Sequence, residues 1–227
     1  MNFTLYYADS LGNPGNCSYP HRITVTDEES LHKATAHDYV CAEYRNHYRN
    51  GENFLGADCL PVDCDNDHSD NPEDWVTPDN IRDAFPAVSF AVHYSRSHMK
   101  EKHGKAARPK FHVLFPIDPV TDVAVYSSMK KKVNELFPYF DTKALDAARF
   151  FFGTSLPEIE MYEGSITLTQ YLDELALPVK SFRKAAAMRH YPGLRDRLSR
   201  NTGTVNAPTC VFWKRRTNAF LPFPKMS

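Results

Sequence analysis

Two aspartates one residue apart, Asp63 and Asp65, close the apolar run Leu60-Pro61-Val62-Asp63-Cys64-Asp65, and the turn-forming stretch Asn66-Asp67-His68-Ser69-Asp70 follows. Residues two apart on a strand share a face. Both carboxylates would then stand side by side, with Val62 and Cys64 turned the other way into a core. Paired carboxylates repel unless positive charge lies between them, and hard divalent cations favour oxygen ligands. A metal site is the chemistry this spacing points to. The plainer alternative is a polar strand end running into a turn, where Asp and Asn are common.

Two specific metal sites fail on spacing. Asp63-x-Asp65-x-Asp67 begins like an EF-hand loop, but His68 stands where the glycine belongs and Asp74 replaces the closing glutamate. The cysteines (Cys17, Cys41, Cys59, Cys64 and Cys210) show no C-x-x-C pairing, so reduced thiols are expected. A zinc set of Cys59, Cys64 and His68 matches no common pattern.

Other residues extend the site. Asp146, in Ala144-Leu145-Asp146, is the natural third carboxylate, with a cap or turn residue as its plainer reading. Three carboxylates holding two metal ions suit an in-line displacement at phosphorus with pyrophosphate leaving. His112 and Lys110 share the polar face of an alternating run, with Arg108 just before it. Together they favour an anion such as a triphosphate, although a single strand histidine is commonly a satisfied structural group. Arg149 is a candidate for the same anion or for a surface ion pair.

These residues need a frame. Stretches 59–65, 88–94, 110–117 and 148–153 read as strands. A helix over 77–85 opens with Thr77-Pro78, and another over 121–137 carries Tyr126, Met129, Val133, Leu136 and Phe137 at helical spacing. The order β-α-β-β-α-β is the split βαβ or ferredoxin-like arrangement, an α+β fold. Both helices would cover one face of the sheet. Asp63, Asp65, Lys110 and His112 fall on the other face, open unless further elements cover it. An N-terminal α/β extension precedes this unit. Strands over 3–7 and 22–25 flank a turn, Thr26-Asp27-Glu28-Glu29 opens a helix, and a second helical stretch carries Val40, Cys41, Tyr44 and Tyr48. The connector 96–108 holds Arg96, Lys100, Lys102, Lys105 and Arg108, either tracking a nucleic-acid backbone or simply solvated.

The bulk properties leave these readings open. The chain has 227 residues, 42% of them hydrophobic, and a formal net charge of -1. That is ample for a core, and no bulk basic charge announces a nucleic-acid binder. No apolar run reaches the roughly 18–20 residues needed to cross a bilayer, and the N-terminus lacks signal-peptide character. A cytoplasmic location is expected.

The succession Asp63-x-Asp65, Lys110-Phe111-His112 and Leu145-Asp146 resembles the archaeo-eukaryotic primase superfamily. Its primase-polymerase domains carry two carboxylates, a histidine and an aspartate in three successive motifs on a palm like the RNA-recognition motif. The wider wording is similar to primases of phages, plasmids and integrative elements, over residues from about 20 to about 165. It comprises Asp63-Cys64-Asp65-Asn66-Asp67-His68-Ser69-Asp70, Arg108-Pro109-Lys110-Phe111-His112 and Leu145-Asp146-Ala147-Ala148-Arg149-Phe150. The resemblance implies template-directed nucleotidyl transfer from NTP or dNTP on single-stranded DNA. It also implies two Mg²⁺ or Mn²⁺ ions on Asp63, Asp65 and Asp146. His112, Lys110, Arg108 and Arg149 would contact the nucleotide, and a replicative helicase would stand among the partners. Lys110 departs from the family, in which a small residue commonly stands two before the histidine. The same carboxylates would also serve a metal-dependent nuclease or phosphohydrolase, or persist in an inactive nucleic-acid-binding remnant.

The catalytic domain is expected over 1–175, in a truncated form, and a poorly ordered basic tail over 176–227. With suitable synonymous codons, 182–203 read two nucleotides later gives PQGSRNATLSRFAGPVVKKYG. That string resembles the small module that follows the catalytic domain in mobile-element primases. A frameshifted tail is the corresponding expectation.

Overall fold

The computed structural model describes residues 1–102 and 104–176. The expected tail therefore lies outside the described residues apart from Ala176, and so does its frameshift origin.

The chain opens with a hairpin of β1 (Phe3–Tyr7) and β2 (His21–Val25). Helix α1 (Glu28–Thr35) begins at Asp27, whose carboxylate accepts from the Ser30 N–H while the Ser30 hydroxyl accepts from the Asp27 N–H. A capping box thus opens the helix as expected, but it is formed by Asp27 and Ser30, one residue on from the Thr26 and Glu29 of the sequence signature. Two very short strands follow, β3 (Tyr39–Val40) and β4 (Glu43–Tyr44), then the long β5 (Phe54–Cys64). Next come α2 (Pro78–Ala84), β6 (Phe90–Tyr94), β7 (Phe111–Val120) and α3 (Val123–Leu136), the last capped by Asp122. The strands β8 (Phe150–Phe151) and β9 (Ile159–Tyr162) and helix α4 (Leu168–Ala176) complete the described chain.

The strands form two sheets, ordered β2-β1-β3-β8 and β4-β5-β7-β6-β9. On one face of the five-stranded sheet, Leu60, Val62, Phe90, Val92, Val113 and Phe115 pack with Ile81 of α2, Tyr126 and Val133 of α3, and Leu172 of α4. On the other face, Cys59, Ala91 and Leu114 pack with Leu5, Leu31, Tyr39 and Phe151 of the four-stranded sheet and α1. The fold is therefore mixed α+β, with the central sheet covered on both sides.

Three expectations need correction. The centre, β5-α2-β6-β7-α3, follows the anticipated order, with β7 between β5 and β6 and all pairs antiparallel. The fourth strand does not. β8 pairs with β3 in the other sheet, β4 lies beside β5, and β9 takes the far edge beside β6. Second, the face expected to be open is covered by the four-stranded sheet. Third, the stretch from Val40 to Tyr48 is not a helix but two strands and a 3-10 turn, Arg45–His47. Tyr39, Val40, Cys41, Ala42 and Tyr44 are all buried there, which suits a chain pinned between two cores rather than an amphipathic helix.

Gly153 shows what draws the end of β8 to the second sheet. Its N–H donates to Asp38 Oδ1 at 3.1 Å, and a Cβ placed on it would lie 2.2 Å from the His37 carbonyl oxygen and 2.7 Å from that of Thr35. Backbone packs on backbone here, and no side chain fits. Gly153→Ala should cost about 3 kcal/mol and lower Tm by roughly 6–12 °C. Gly51→Ala, where an added Cβ meets nothing within 4 Å, should leave Tm within about 2 °C. Thermal unfolding of the two variants checks both.

Candidate metal centre

Three strands of the central sheet bring Asp63, His112 and His93 into one cross-strand row. His112 Nδ1 lies 3.1 Å from Asp63 Oδ1, and Arg149 Nη2 donates to Asp63 Oδ2 at 3.3 Å. The Asp63 side chain is only 6% exposed. Burial alone would raise its pKa, but the charges and hydrogen bonds of His112 and Arg149 override this and hold the carboxyl below its ordinary value. The His112 ring packs on Phe151 with centroids 4.6 Å apart, and Phe151 stacks on Tyr39. The Tyr39 hydroxyl lies 3.1 Å from His93 Nδ1. His93 is fully buried; burial first, and the neighbouring His112 second, push its pKa well below the usual range. The second sheet thus supplies the wall against which the two histidines stand.

Asp65 follows just past the end of β5. Lys110 Nζ donates to its Oδ1 at 3.0 Å and to Asp67 Oδ1 at 3.4 Å. The Lys110 backbone is fixed on both sides, its N–H donating to His98 Nδ1 and its carbonyl accepting from the Ser95 N–H. Asn66 holds the turn that follows. It takes the left-handed conformation (φ 53°) that asparagine tolerates, and its side chain bonds the Val76 N–H, the Val76 carbonyl and the Pro109 carbonyl.

The third carboxylate comes from elsewhere. The Asp141 N–H donates to the Asp63 carbonyl at 2.7 Å, and the Asp141 carboxylate caps the 3-10 turn Thr142–Leu145 by accepting from the Lys143 N–H. Lys130, buried on α3, fixes the far end of that turn by donating to the carbonyls of Ala144 and Asp146 at 3.0 and 2.8 Å. Burial lowers the Lys130 pKa to about 8. Among the described residues, Asp63, Asp65 and Asp141 place ligand oxygens within 4.8 Å of one another.

The expected site residues thus divide. Asp63, Asp65, Lys110, His112 and Arg149 come together. Asp146 is not in the carboxylate group; it is exposed, at the other end of the 3-10 turn, where its Oδ1 accepts from the Ala148 N–H at 3.0 Å. The sequence carries a signal for Asp141, since Phe140-Asp141 is as good an apolar-Asp pair as Leu145-Asp146. Arg108 also departs from expectation. Its side chain is 1% exposed, and it donates to the carbonyls of Asn66, Ser69 and Ala106 and to Asp70. With nearly all its donors spent inside the fold, it clamps the loop after β5 rather than offering charge to a ligand.

Three carboxylates are the right donors for Mg²⁺ or Mn²⁺. An ion ligated at about 2.1 Å holds its oxygens no more than about 4.2 Å apart. The group fits with closure of less than about 1 Å.

No protein-family model matches the chain, and no curated protein matches it. Among solved structures, the chain is similar to the AEP domain of the cyanophage S-2L primase-polymerase, with 13% identity and a TM-score of 0.42, over 75% of this chain and 88% of that one. Similarity at that level does not by itself assign a fold or an activity.

The histidine row sets a pH dependence. His93 resists protonation in the fold, so below its unfolded pKa of about 6.5 the unfolded chain binds more protons and stability falls as pH drops. Between about pH 6.5 and 5, above the range of ordinary carboxylates, the loss should approach 1.4 kcal/mol per unit. Urea unfolding at both pH values should show this slope in the wild type and a flatter one in His93→Gln.

Proposed function

We propose that this chain is a metal-dependent nucleotidyltransferase of the primase-polymerase kind, extending a strand on a single-stranded DNA template from NTP or dNTP. The observation that carries the reading is the convergence of Asp63, Asp65 and Asp141 within 4.8 Å, with Lys110 and Arg149 paired to two of them. The succession of motifs that resembles the archaeo-eukaryotic primases supports it from the sequence. In this reading Asp141 takes the place of Asp146 as third ligand of the two ions that the resemblance implies.

Mg²⁺ or Mn²⁺ bound there would supply Lewis acidity toward phosphoryl oxygens and lower the pKa of a coordinated hydroxyl. The rest is the work of the chain. Asp63, deep in the sheet, is held in one orientation by His112 and Arg149, so the group starts from a fixed ligand. Asp65 and Asp141 are half-exposed and can close by the small distance required. Lys110 and Arg149 balance the carboxylates, and in this reading they would also meet the triphosphate. His112, only 9% exposed in its side chain and wedged under Phe151, acts on Asp63 as a positioning residue rather than reaching the triphosphate.

Nothing among the described residues speaks for a helicase partner, and no helix among them is long and apolar enough to cross a membrane.

A labelled strand on a single-stranded template, incubated with NTP or dNTP and Mn²⁺, tests the reading. Extension is expected, and Asp141→Asn should slow it about 10²–10³-fold while Asp146→Asn stays within about 10-fold of wild type. Shortening of the labelled strand would favour a nuclease built on the same carboxylates. Template binding with no product in Mn²⁺, nor in a parallel incubation with Mg²⁺, would mark an inactive binding remnant.

A further inference from the structure

The ends of β5, β7 and β6 continue the cross-strand pairing one step past the sheet. After the aligned residues Cys64, Phe111 and Tyr94 come Asp65, Lys110 and Ser95, and the Ser95 N–H donates to the Lys110 carbonyl at 2.9 Å. Two strand spacings, about 10 Å, separate Asp65 from Ser95. Beyond Ser95 the row opens into a cleft of about 490 Å³.

Arg96 lines that cleft. Its guanidinium carbon sits 3.6 Å from the centroid of the Phe152 ring, and among the described residues its guanidinium has no carboxylate or hydrogen-bond partner. Its neighbours are placed differently: Lys105, Arg108, Lys110 and Arg149 all pair with aspartates. A guanidinium over a ring spends no N–H on a hydrogen-bond acceptor there and can offer its donor fork to phosphate. Gly12, also in the lining with φ +78°, stands close to that guanidinium, since a Cβ on it would come within 3.3 Å of Arg96 Nη1. Lys100, also in the lining, spends one donor on the Arg96 carbonyl at 2.9 Å and keeps two. His98 ties the cleft to the carboxylate group, since its Nδ1 accepts from the Lys110 N–H. Glu158 is the one carboxylate among the lining residues.

We infer that this cleft binds the polyphosphate tail of the nucleotide, with Arg96 as its anchor and Lys110 linking it to the carboxylates. The identity of the ligand rests on the nucleotidyl-transfer reading; the presence of a polyanion site does not. An unpaired guanidinium and a nearby ammonium, spread across an open cleft and continued by Lys110, suit a chain of phosphates better than one phosphate. An extended polyphosphate starting at the carboxylates would run along this row, past Lys110, toward Arg96.

Calorimetric titration of the full chain with inorganic tripolyphosphate and with orthophosphate, in metal-free buffer, tests this. Tripolyphosphate should bind, and orthophosphate should bind at least about tenfold more weakly. Arg96→Gln, an exposed change, should weaken tripolyphosphate at least about tenfold and leave Mn²⁺ affinity, read by electron paramagnetic resonance, as in the wild type. Equal tripolyphosphate affinity in Arg96→Gln, or no binding by the wild type, overturns the inference. Mn²⁺ binding is read separately. A chain that binds Mn²⁺ but not tripolyphosphate loses only the polyphosphate cleft. One that binds tripolyphosphate through Arg96 but no Mn²⁺ loses only the metal-dependent reading.

Discussion

The contact between the Asp63 carboxylate and the His112 imidazole, 3.1 Å across adjacent strands, is the constraint from which the rest of the site follows. A carboxylate this deep is costly unless paired, and removing one partner of such a pair typically costs about 3–5 kcal/mol. His112 alone does not complete the pairing. Arg149 supplies the second contact from beyond the 3-10 turn, and the Asp141 N–H bonds the Asp63 carbonyl from before it. One residue of the sheet is thus tied to both ends of the segment that delivers the third carboxylate. The same segment continues into β8, whose Phe151 closes over His112.

Much of the central sheet was legible in the sequence because its two faces have different chemistry. The alternation in 59–65 and 110–117 placed Asp63 and His112 on a common face, and in the structure they are direct cross-strand partners. Elements of two residues are another matter. β3, β4 and β8 are too short to carry a period, so neither the strands hidden in the stretch from Val40 to Tyr48 nor the transfer of β8 to the second sheet had a pattern to read.

Asp141 and Asp146 stand at opposite ends of a 3-10 turn, the first bonded to the sheet through Asp63 and the second held through its carbonyl by Lys130. Lys130 stands in the run Lys130-Lys131-Lys132, yet it is buried and spends its ammonium on the carbonyls at the far end of the turn. Arg108 misleads in a similar way. It sits in a basic connector, but its partners are mainly loop carbonyls, which leave no trace in composition. Cations that end up structural and cations that stay available look alike in a sequence. Burial and partners separate them, and among the described residues Arg96 lies over an aromatic ring with no carboxylate or hydrogen-bond partner for its guanidinium.

The central claim is that Asp63, Asp65 and Asp141 hold a divalent cation. Anomalous scattering from crystals of the protein soaked in Mn²⁺ tests it most directly. The account predicts a peak within about 2.3 Å of an oxygen from each of the three aspartates. No peak at saturating Mn²⁺, or a peak ligated by Asp146 with Asp141 turned away, would contradict it.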